Sequence, residues 1–343
     1  PAMSVTNYGT ITGNAVSADG DGIDIDRIAT INNYGTVNAF GIVAGELSEA
    51  VTIGGGTSNN YAGGTLYSVQ RAITIDDSSG GNSFGLTNIY NEGTITGANG
   101  EAISITSTTA DTLINKGTIN GSVAMGAGDN AVTLYAGSSI TGQLDGGAGT
   151  NSLTLAGTGS GAVSNVVNFA TLAIDGGTWN VAGAQTYGAG ITVGSAATMV
   201  ISGTLGGDVT NGGTVAVNGG AAVFTGTFTN NGTFKTDPST TTFAGDLVEG
   251  ADGIQQSSPG DVIRIDGNFL NHSTQNAQWQ TESTALEFSG ALGTTHRMLL
   301  TGQDEGAIAP GLGQNCAGGA RALDSGNLLE LDSGLLPGAD VAL

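Results

Sequence analysis

The chain has 343 residues, of which 61 are Gly and only 10% are charged, and its 7 Lys and Arg against 29 Asp and Glu give a formal net charge of −22. Nucleic acids and anionic membranes are bound largely through Lys and Arg, so this charge argues against both as partners. The single cysteine, Cys316, excludes an internal disulfide, and no apolar run approaches the roughly 20 residues of a membrane-spanning helix.

A short phrase, Asn-x-Gly-Thr followed by an apolar residue, recurs along the chain. It begins at Asn7, Asn33, Asn91, Asn115, Asn211 and Asn230, with a looser copy, DGGTW, at Asp175. Adjacent copies lie roughly 18–26 residues apart, which is a period typical of solenoid coils. The longer gaps, from Asn33 to Asn91 and from Asp175 to Asn211, are interpreted as three and two coils.

Each unit is predicted to be β-structure, because small or polar residues alternate with branched apolar ones over four to six residues. Such segments occur at 36–37, 72–75, 102–105, 131–134 and 152–155. Gly, Asn and Asp bound the strands, and no segment has a helical period with caps. We therefore predict an all-β fold, a right-handed parallel β-helix with coils of roughly 18–26 residues. A β-sandwich is the alternative.

The repeated phrase then has a physical interpretation within one coil. Asn is expected at a corner, where it can stack on the Asn of a neighbouring coil or bond the backbone. Gly is expected at a position of positive φ, and Thr at an outward strand position. The following apolar residue is expected to point into the core. The predicted inward residues are Val37, Ile75, Ile95, Ile105, Ile119, Leu134, Leu153, Leu155, Val215 and Phe234.

Sequence texture divides the chain into three regions. Residues 1–120 are expected to be irregular coils with insertions at 54–71 and 76–88. Residues 121–235 are the most regular, and residues 236–343 contain longer strands with both histidines and Cys316. No linker separates these regions, so one continuous domain is expected.

The segment GAGDNAVTLYAGSSITGQLDGGAGTNSLTLAGTGSG, residues 126–161, resembles the passenger region of bacterial autotransporter and haemagglutinin-like surface proteins. The match extends over residues 1–235. The segments at 230–247 and 260–290 are similar to repeats of secreted bacterial surface proteins that carry a C-terminal sorting tail. The resemblance implies export, a β-solenoid fold and a role as an adhesin, a matrix component or a carrier of other modules. Because the chain begins with Pro1, we expect it to be processed or trimmed.

Calcium is the one ligand that the sequence leaves open, and no other cofactor is expected. Hard cations need several oxygen ligands at fixed spacing. The acidic run Asp19, Asp21, Asp24 and Asp26 and the step around Asp129, which resembles half of a calcium-binding nonapeptide, are the candidates. The alternative interpretation of both is an ordinary solenoid corner.

Enzymatic activity is not expected, although parallel β-helices also support polysaccharide-degrading enzymes. Such enzymes need paired carboxylates or a basic group in a groove. The residues that could supply them are Arg264 with Asp261 and Asp266, Glu282 with Glu287, and His272 with His296, which could stack across coils. Exposed Trp179, Tyr187 or Trp279 would instead favour glycan binding.

The favoured function is a structural β-solenoid of a bacterial surface or extracellular space that assembles head to tail into a fibre or matrix. Neither end of the sequence looks like a polar or helical cap, and an uncovered strand edge recruits other strands. The alternative is that flanking segments of a precursor cap both ends. The predicted assembly residues are Pro1, Val5, Leu335, Leu336, Val341 and Leu343. The alternative is an adhesin that binds host or matrix glycans, and a polysaccharide-degrading enzyme is the remaining hypothesis.

Overall fold

The structure is a computed structural model that describes residues 3–15, 20–41, 47–77, 79–275, 278–281, 284–290, 295–300, 321–323 and 328–332. These residues form 37 β-strands and no α-helix. The first nineteen strands are β1 (Met3–Asn7), β2 (Thr10–Gly13), β3 (Ile23–Ile25), β4 (Ala29–Asn33), β5 (Thr36–Ala39), β6 (Glu49–Ile53), β7 (Gly56–Asn60), β8 (Thr65–Ser68), β9 (Arg71–Ile75), β10 (Thr87–Asn91), β11 (Thr94–Ile105), β12 (Thr112–Asn115), β13 (Thr118–Ala124), β14 (Ala131–Tyr135), β15 (Ser139–Ile140), β16 (Leu144–Asp145), β17 (Ser152–Ala156), β18 (Ser160–Val163) and β19 (Val166–Val167).

The remaining strands are β20 (Thr171–Ile174), β21 (Gly177–Thr186), β22 (Gly190–Val193), β23 (Ala197–Gly206), β24 (Val209–Asn211), β25 (Thr214–Asn218), β26 (Ala221–Phe224), β27 (Phe228–Asn230), β28 (Thr233–Asp237), β29 (Thr240–Phe243), β30 (Leu247–Glu249), β31 (Ile254–Gln256), β32 (Val262–Ile265), β33 (Phe269–Asn271), β34 (Ala285–Phe288), β35 (Thr295–Leu300), β36 (Arg321–Leu323) and β37 (Leu328–Asp332). In the part of the chain that the structure describes, no apolar helix is long enough to cross a bilayer. Two compact units are distinguished, residues 1–161 with 165–172 and residues 162–164 with 173–343.

In the first unit, successive coils add strands to three parallel stacks. The first stack has the order β1-β4-β7-β10-β12-β14-β17. The second has the order β2-β5-β8-β11-β13-β15. The third has the order β3-β6-β9-β11-β13-β16-β19, because β11 and β13 are long enough to belong to both.

The second unit is built in the same way. Its first stack has the order β22-β24-β27-β30-β33-β35-β37. Strands β21 and β23 begin the other two stacks, which continue as β25-β28-β31 and as β26-β29-β32-β34-β36. This parallel stacking of short strands confirms the predicted all-β parallel β-helix.

The core lies between the three stacks of each unit, and the predicted inward residues line it. All ten are at most 5% exposed, from Val37, Ile75, Ile95, Ile119, Leu155 and Val215 at 0% to Leu134 at 5%. The Thr that opens each repeated strand points away from this core, as expected for a period of two. Four phenylalanines of the second unit, Phe224, Phe228, Phe234 and Phe243, pack with ring centroids 4.8–6.3 Å apart.

The segment 54–71, predicted to be an insertion, forms a complete part of the coil stack. Residues 54–71 contain β7 and β8, which pair in register with the coils on both sides. Asn60 lies between Asn33 and Asn91 at separations of 27 and 31 residues, so the gap holds two coils and not three. This copy does not match the repeated pattern, because in Asn60-Tyr-Ala-Gly-Gly-Thr65 the Thr comes two residues later than in the other copies.

Gly177, in the looser copy that begins at Asp175, has the predicted positive φ, at 76°. Three exact copies of the repeated phrase need glycine for a different reason. Gly35, Gly93 and Gly117 are absent from the positive-φ residues, so backbone conformation does not select glycine there. A Cβ at each of them would lie 2.1 Å from the carbonyl oxygen of the glycine in the coil before it, respectively Gly9, Gly64 and Gly93. The close approach of successive corners therefore excludes a side chain.

Candidate functional site

Buried asparagines form a continuous column at the corner that follows the first stack. In the first unit, each Asn Nδ2 donates to the Oδ1 of the next at 2.8–2.9 Å, through Asn7, Asn33, Asn60, Asn91 and Asn115. The same bond joins Asn211 to Asn230 at 2.8 Å in the second unit. These contacts confirm the predicted stacking of corner asparagines. The amides satisfy one another, so the column holds coils together.

In the second unit, Glu249 replaces asparagine in this column. Its Oε2 accepts from Asn230 Nδ2 at 2.8 Å and its Oε1 accepts from Gln255 Nε2 at 2.6 Å. Burial raises the pKa of Glu249 to about 7, and the two amide donors only partly offset this effect. A carboxyl group in this place is therefore sensitive to pH near neutrality.

The first unit has a second buried glutamate, Glu49, at the start of β6. Burial raises its pKa to about 7, and the neighbouring Asp21 carboxylate acts in the same direction. Two groups lower the pKa of Glu49: the charge of Arg71, which is aligned with Glu49 on β9, and the hydrogen bond from the Thr74 hydroxyl. Arg71 also contacts Glu101, with Nε and Oε2 3.3 Å apart.

The predicted calcium residues are dispersed over different environments. Asp19 lies outside the described residues. The Asp21 carboxylate accepts from the Glu49 backbone N–H at 2.8 Å, whereas Asp24 and Asp26 are exposed, with Asp24 on the outward side of β3. The exposed Asp129 accepts from the Thr150 backbone N–H at 2.7 Å. Within the described ranges, no three His, Cys, Asp or Glu side chains form a group suited to a metal ion, and calcium binding stays a prediction.

The carboxylates near Arg264 have separate structural contacts. Arg264 Nε lies 2.5 Å from Glu287 Oε2 on the neighbouring strand β34. Asp261 is buried and accepts from the backbone N–H groups of Ser239 and Ser258, each at 2.5 Å, and Asp266 accepts from the Ser289 hydroxyl at 2.5 Å. Glu282 lies outside the described residues.

The two histidines do not stack, contrary to the sequence-based hypothesis. His296 lies on β35, whose register with β33 places it beside Gly267, and its Nδ1 is 2.8 Å from the Gly267 carbonyl oxygen. His296 is fully buried, whereas His272 is exposed and follows Asn271, the residue aligned with Leu300. The two histidines are 24 residues apart in sequence, whereas the coil from Gly267 to His296 contains 29 residues.

The three aromatic residues suggested as glycan platforms are buried. Trp179 and Tyr187 are 1% exposed and Trp279 is 4% exposed. Their polar atoms bond within the protein, since Trp179 Nε1 donates to the Gly176 carbonyl at 3.1 Å and Tyr187 Oη donates to Gln185 at 2.6 Å. The condition under which these residues would favour glycan binding is therefore not met, because the three rings are buried.

A different set of aromatic residues lies on the surface of the first unit, and we call it the tyrosine column. Tyr8, Tyr34 and Tyr61 each follow a column asparagine, and their rings stack in parallel, with centroids 5.0 and 4.3 Å apart and planes within 11° and 9°. Tyr90 continues the column from β10, 6.1 Å from Tyr61 and tilted by 57°.

Lys116 extends the tyrosine column over two further coils. Its Nζ lies 5.1 Å from the centre of the Tyr90 ring and 4.9 Å from that of Tyr135, which completes the column. It also lies 3.7 Å from Glu92 Oε1, and the Tyr90 hydroxyl donates to the same carboxylate. The hydrogen bond with Tyr90 raises the pKa of Lys116.

The tyrosine column was missed from the sequence, although a signal was present. The variable position of the repeated phrase is Tyr in the copies that begin at Asn7 and Asn33, and again after Asn60. Five of the seven tyrosines in the chain belong to the column.

Of the predicted assembly residues, only Val5 lies within the described residues. It is half-buried on β1 and aligned with Ile31 on β4. Pro1, Leu335, Leu336, Val341 and Leu343 fall outside the described ranges, so their assignment stays a prediction. Comparisons with protein-family models, curated proteins and solved structures found no match to this chain.

Proposed function

We propose that this protein is a structural β-solenoid of a bacterial surface or extracellular matrix, which assembles by stacking the first coil of one molecule on a coil of another. In this proposal no residue performs chemistry. Support comes from the continuous internal columns, in which buried polar residues hold coils together, and from the resemblance of residues 126–161 to exported passenger proteins.

The first coil carries the observation on which the proposal rests. Among the described residues, β1 pairs only with β4, so its other edge is available to a strand from outside these residues. Backbone groups of alternate residues face opposite edges in a parallel ladder, and the Asn7 carbonyl accepts from Tyr34 N–H on the β4 side. The N–H and C=O of Thr6 are therefore directed to the open edge, where they can pair with a further strand.

Gly9 supports the same interpretation. The corresponding positions in the next coils must be glycine, because a Cβ there would collide with a carbonyl oxygen of the coil before. A Cβ at Gly9 would meet nothing within 4 Å. Glycine at this position becomes necessary when another coil stacks on the first. A second copy of the chain can supply such a coil, since its own coils already stack through the same phrase. Unlike ends joined in this way build an open chain of molecules.

The proposal is tested with Gly9→Ala. Because the added methyl group has free space in the single molecule, we expect its thermal midpoint to stay within about 2 °C of that of the unaltered protein. In the stacked state the methyl group would meet a carbonyl of the second copy, so assembly should be lost. Light scattering and electron microscopy over a concentration series measure this loss.

Gly188→Ala is the matched control, because a Cβ at Gly188 also has nothing within 4 Å. It should assemble as readily as the unaltered chain. Thr6→Pro, which removes the N–H directed to the open edge, should block assembly, and Thr6→Val, which keeps it, should not. An intact chain that stays monomeric at high concentration, or a Gly9→Ala variant that assembles normally, would overturn the proposal.

A further inference from the structure

We infer that the tyrosine column is a binding surface for an extended, neutral polysaccharide. This inference goes beyond the structural role proposed above and does not depend on it, since a single molecule already presents the whole column. It assigns glycan binding to the tyrosine column and not to Trp179, Tyr187 or Trp279.

The tyrosine column exposes aromatic surface to solvent, although the packing of the coils does not require it. Tyr8 is 77% exposed and Tyr34 is 43% exposed, and Tyr61, Tyr90 and Tyr135 are half-buried. Stacking covers the ring faces between neighbours, so the column presents ring edges and hydroxyl groups to solvent. Tyrosine combines a rigid apolar ring with a polar tip and is enriched at interfaces for that reason.

Rows of polar groups run beside the column on the outward side of the first stack. Asn32 and Asn59 form an amide row, in which Asn59 Nδ2 donates to Asn32 Oδ1 at 2.9 Å, and Tyr61 Oη reaches the same oxygen at 3.4 Å. Outward Thr30 and Thr57 form a parallel hydroxyl row, aligned by the register of β4 with β7. Each of these two coils thus presents a hydroxyl, an amide and a phenol, at a strand spacing of roughly 4.8 Å.

These groups match the chemistry of pyranose sugars. Sugar hydroxyls donate to and accept from amides, phenols and other hydroxyls, and the apolar C–H groups of the sugar rings make van der Waals contacts with exposed aromatic carbons. The repetition along successive coils favours a ligand that also repeats, which is a linear polysaccharide and not a single small molecule.

Charge decides which polysaccharides fit. The charged residues of the column, Glu92 and Lys116, neutralise each other, with Nζ and Oε1 3.7 Å apart. The whole chain has a net charge of −22, which repels acidic polysaccharides at a distance. A neutral polymer meets no such repulsion, so its binding should be insensitive to salt.

The test uses the intact chain and suspensions of insoluble cellulose, chitin and β-1,3-glucan, with alginate as an acidic polymer for contrast. We expect at least one neutral polysaccharide to retain the protein in both 0.05 M and 0.5 M NaCl, and alginate to retain none. The double variant Tyr34→Ser/Tyr61→Ser should bind the retained polymer at least about tenfold more weakly.

Tyr67→Ser is the matched control, because Tyr67 is half-buried beside Phe40 on a different stack, with ring centroids 5.7 Å apart. It should bind normally. Circular dichroism verifies that the variants are folded, and Asn59→Leu, which removes one amide and no tyrosine, provides a second variant in case the double one unfolds. The inference is overturned if no neutral polysaccharide is retained, if Tyr67→Ser loses binding equally, or if the column variants abolish only self-association.

Discussion

Glu249 occupies a column position that amides hold in neighbouring coils, and its protonation therefore affects stability. A neutral carboxylic acid accepts from Asn230 and Gln255 without a buried charge, whereas the carboxylate places a charge where no cation compensates it among the described residues. Burial raises the pKa from its ordinary value of 4.5 to about 7.

The consequence for folding follows from proton binding. Below pH 4.5 the folded and unfolded chains are both protonated at this residue, and stability is not reduced. Between pH 4.5 and about 7, the unfolded chain has released the proton that the folded chain still holds, so stability falls as pH rises and levels off above about 7. This shift corresponds to on the order of 3 kcal/mol.

We predict that Glu249→Gln removes this pH dependence. Because glutamine is neutral at all relevant pH values, the variant should match the unaltered protein at pH 4 and unfold at a higher temperature at pH 8. Thermal unfolding followed by circular dichroism across that range measures the difference. Glu287→Gln, at an exposed ion pair, should show no comparable gain, and an equal gain there would contradict the assignment.

At the scale of strands, alternation determines which residues enter the core. On β17, Leu153 is 1% exposed and points inward, while Thr154 is half-buried and points outward. Both are aligned in register with β14, through Val132 and Thr133. The two positions therefore have the same strand neighbours and differ in the face that they occupy.

We predict opposite outcomes for aspartate at these two positions. Leu153→Asp should unfold the surrounding coils, because a lone buried carboxylate costs several kcal/mol. Thr154→Asp should change stability by under about 1 kcal/mol, since its carboxylate stays in water. Denaturant midpoints measure both, and similar losses at the two positions would contradict the inward and outward assignment.

The strands and the inward residues could be predicted from sequence because both depend on a local period of two. The asparagine column could also be predicted, since its phrase recurs. The coil at 56–68 could not, because two additional residues before Thr65 disguised it. Whether Trp179 and Trp279 are exposed could not be predicted, because aromatic identity alone does not indicate which face a residue occupies.

The glycine rule illustrates a second limit of sequence analysis. Repetition showed that glycine matters, but the competing explanations, positive φ and close approach, look the same in one sequence. The backbone φ and the distance that a Cβ would have from the carbonyl oxygen of the coil before, 2.1 Å at Gly93, distinguish them. Contacts between coils, and the tyrosine column that depends on them, join residues 24 to 31 positions apart.

At the scale of the whole molecule, both units are parallel β-helices, but different types of side chain occupy their cores. Largely aliphatic side chains occupy the core of the first unit, whereas the second contains the phenylalanine cluster around Phe224. Among the described residues, the most exposed large apolar side chains all lie between Met3 and Leu86. Surface hydrophobicity is thus concentrated in the coils that also contain the start of the tyrosine column.

We predict that far-ultraviolet circular dichroism of the protein shows β-structure with almost no helix. The described residues contain no α-helix, and Gly at 61 of 343 positions disfavours helices elsewhere in the chain. A helical content above about a fifth would contradict the fold, because about a third is the norm for globular proteins.

The close contact between each corner glycine and the carbonyl of the preceding coil also limits how a gene for this fold can lengthen by duplication. A duplication of one complete coil brings its own glycine, asparagine and inward side chains, and these meet matching partners on both sides. A duplication of half a coil would place a larger residue against a glycine carbonyl and could turn inward residues toward water. Relatives of this protein should therefore differ in length by whole coils.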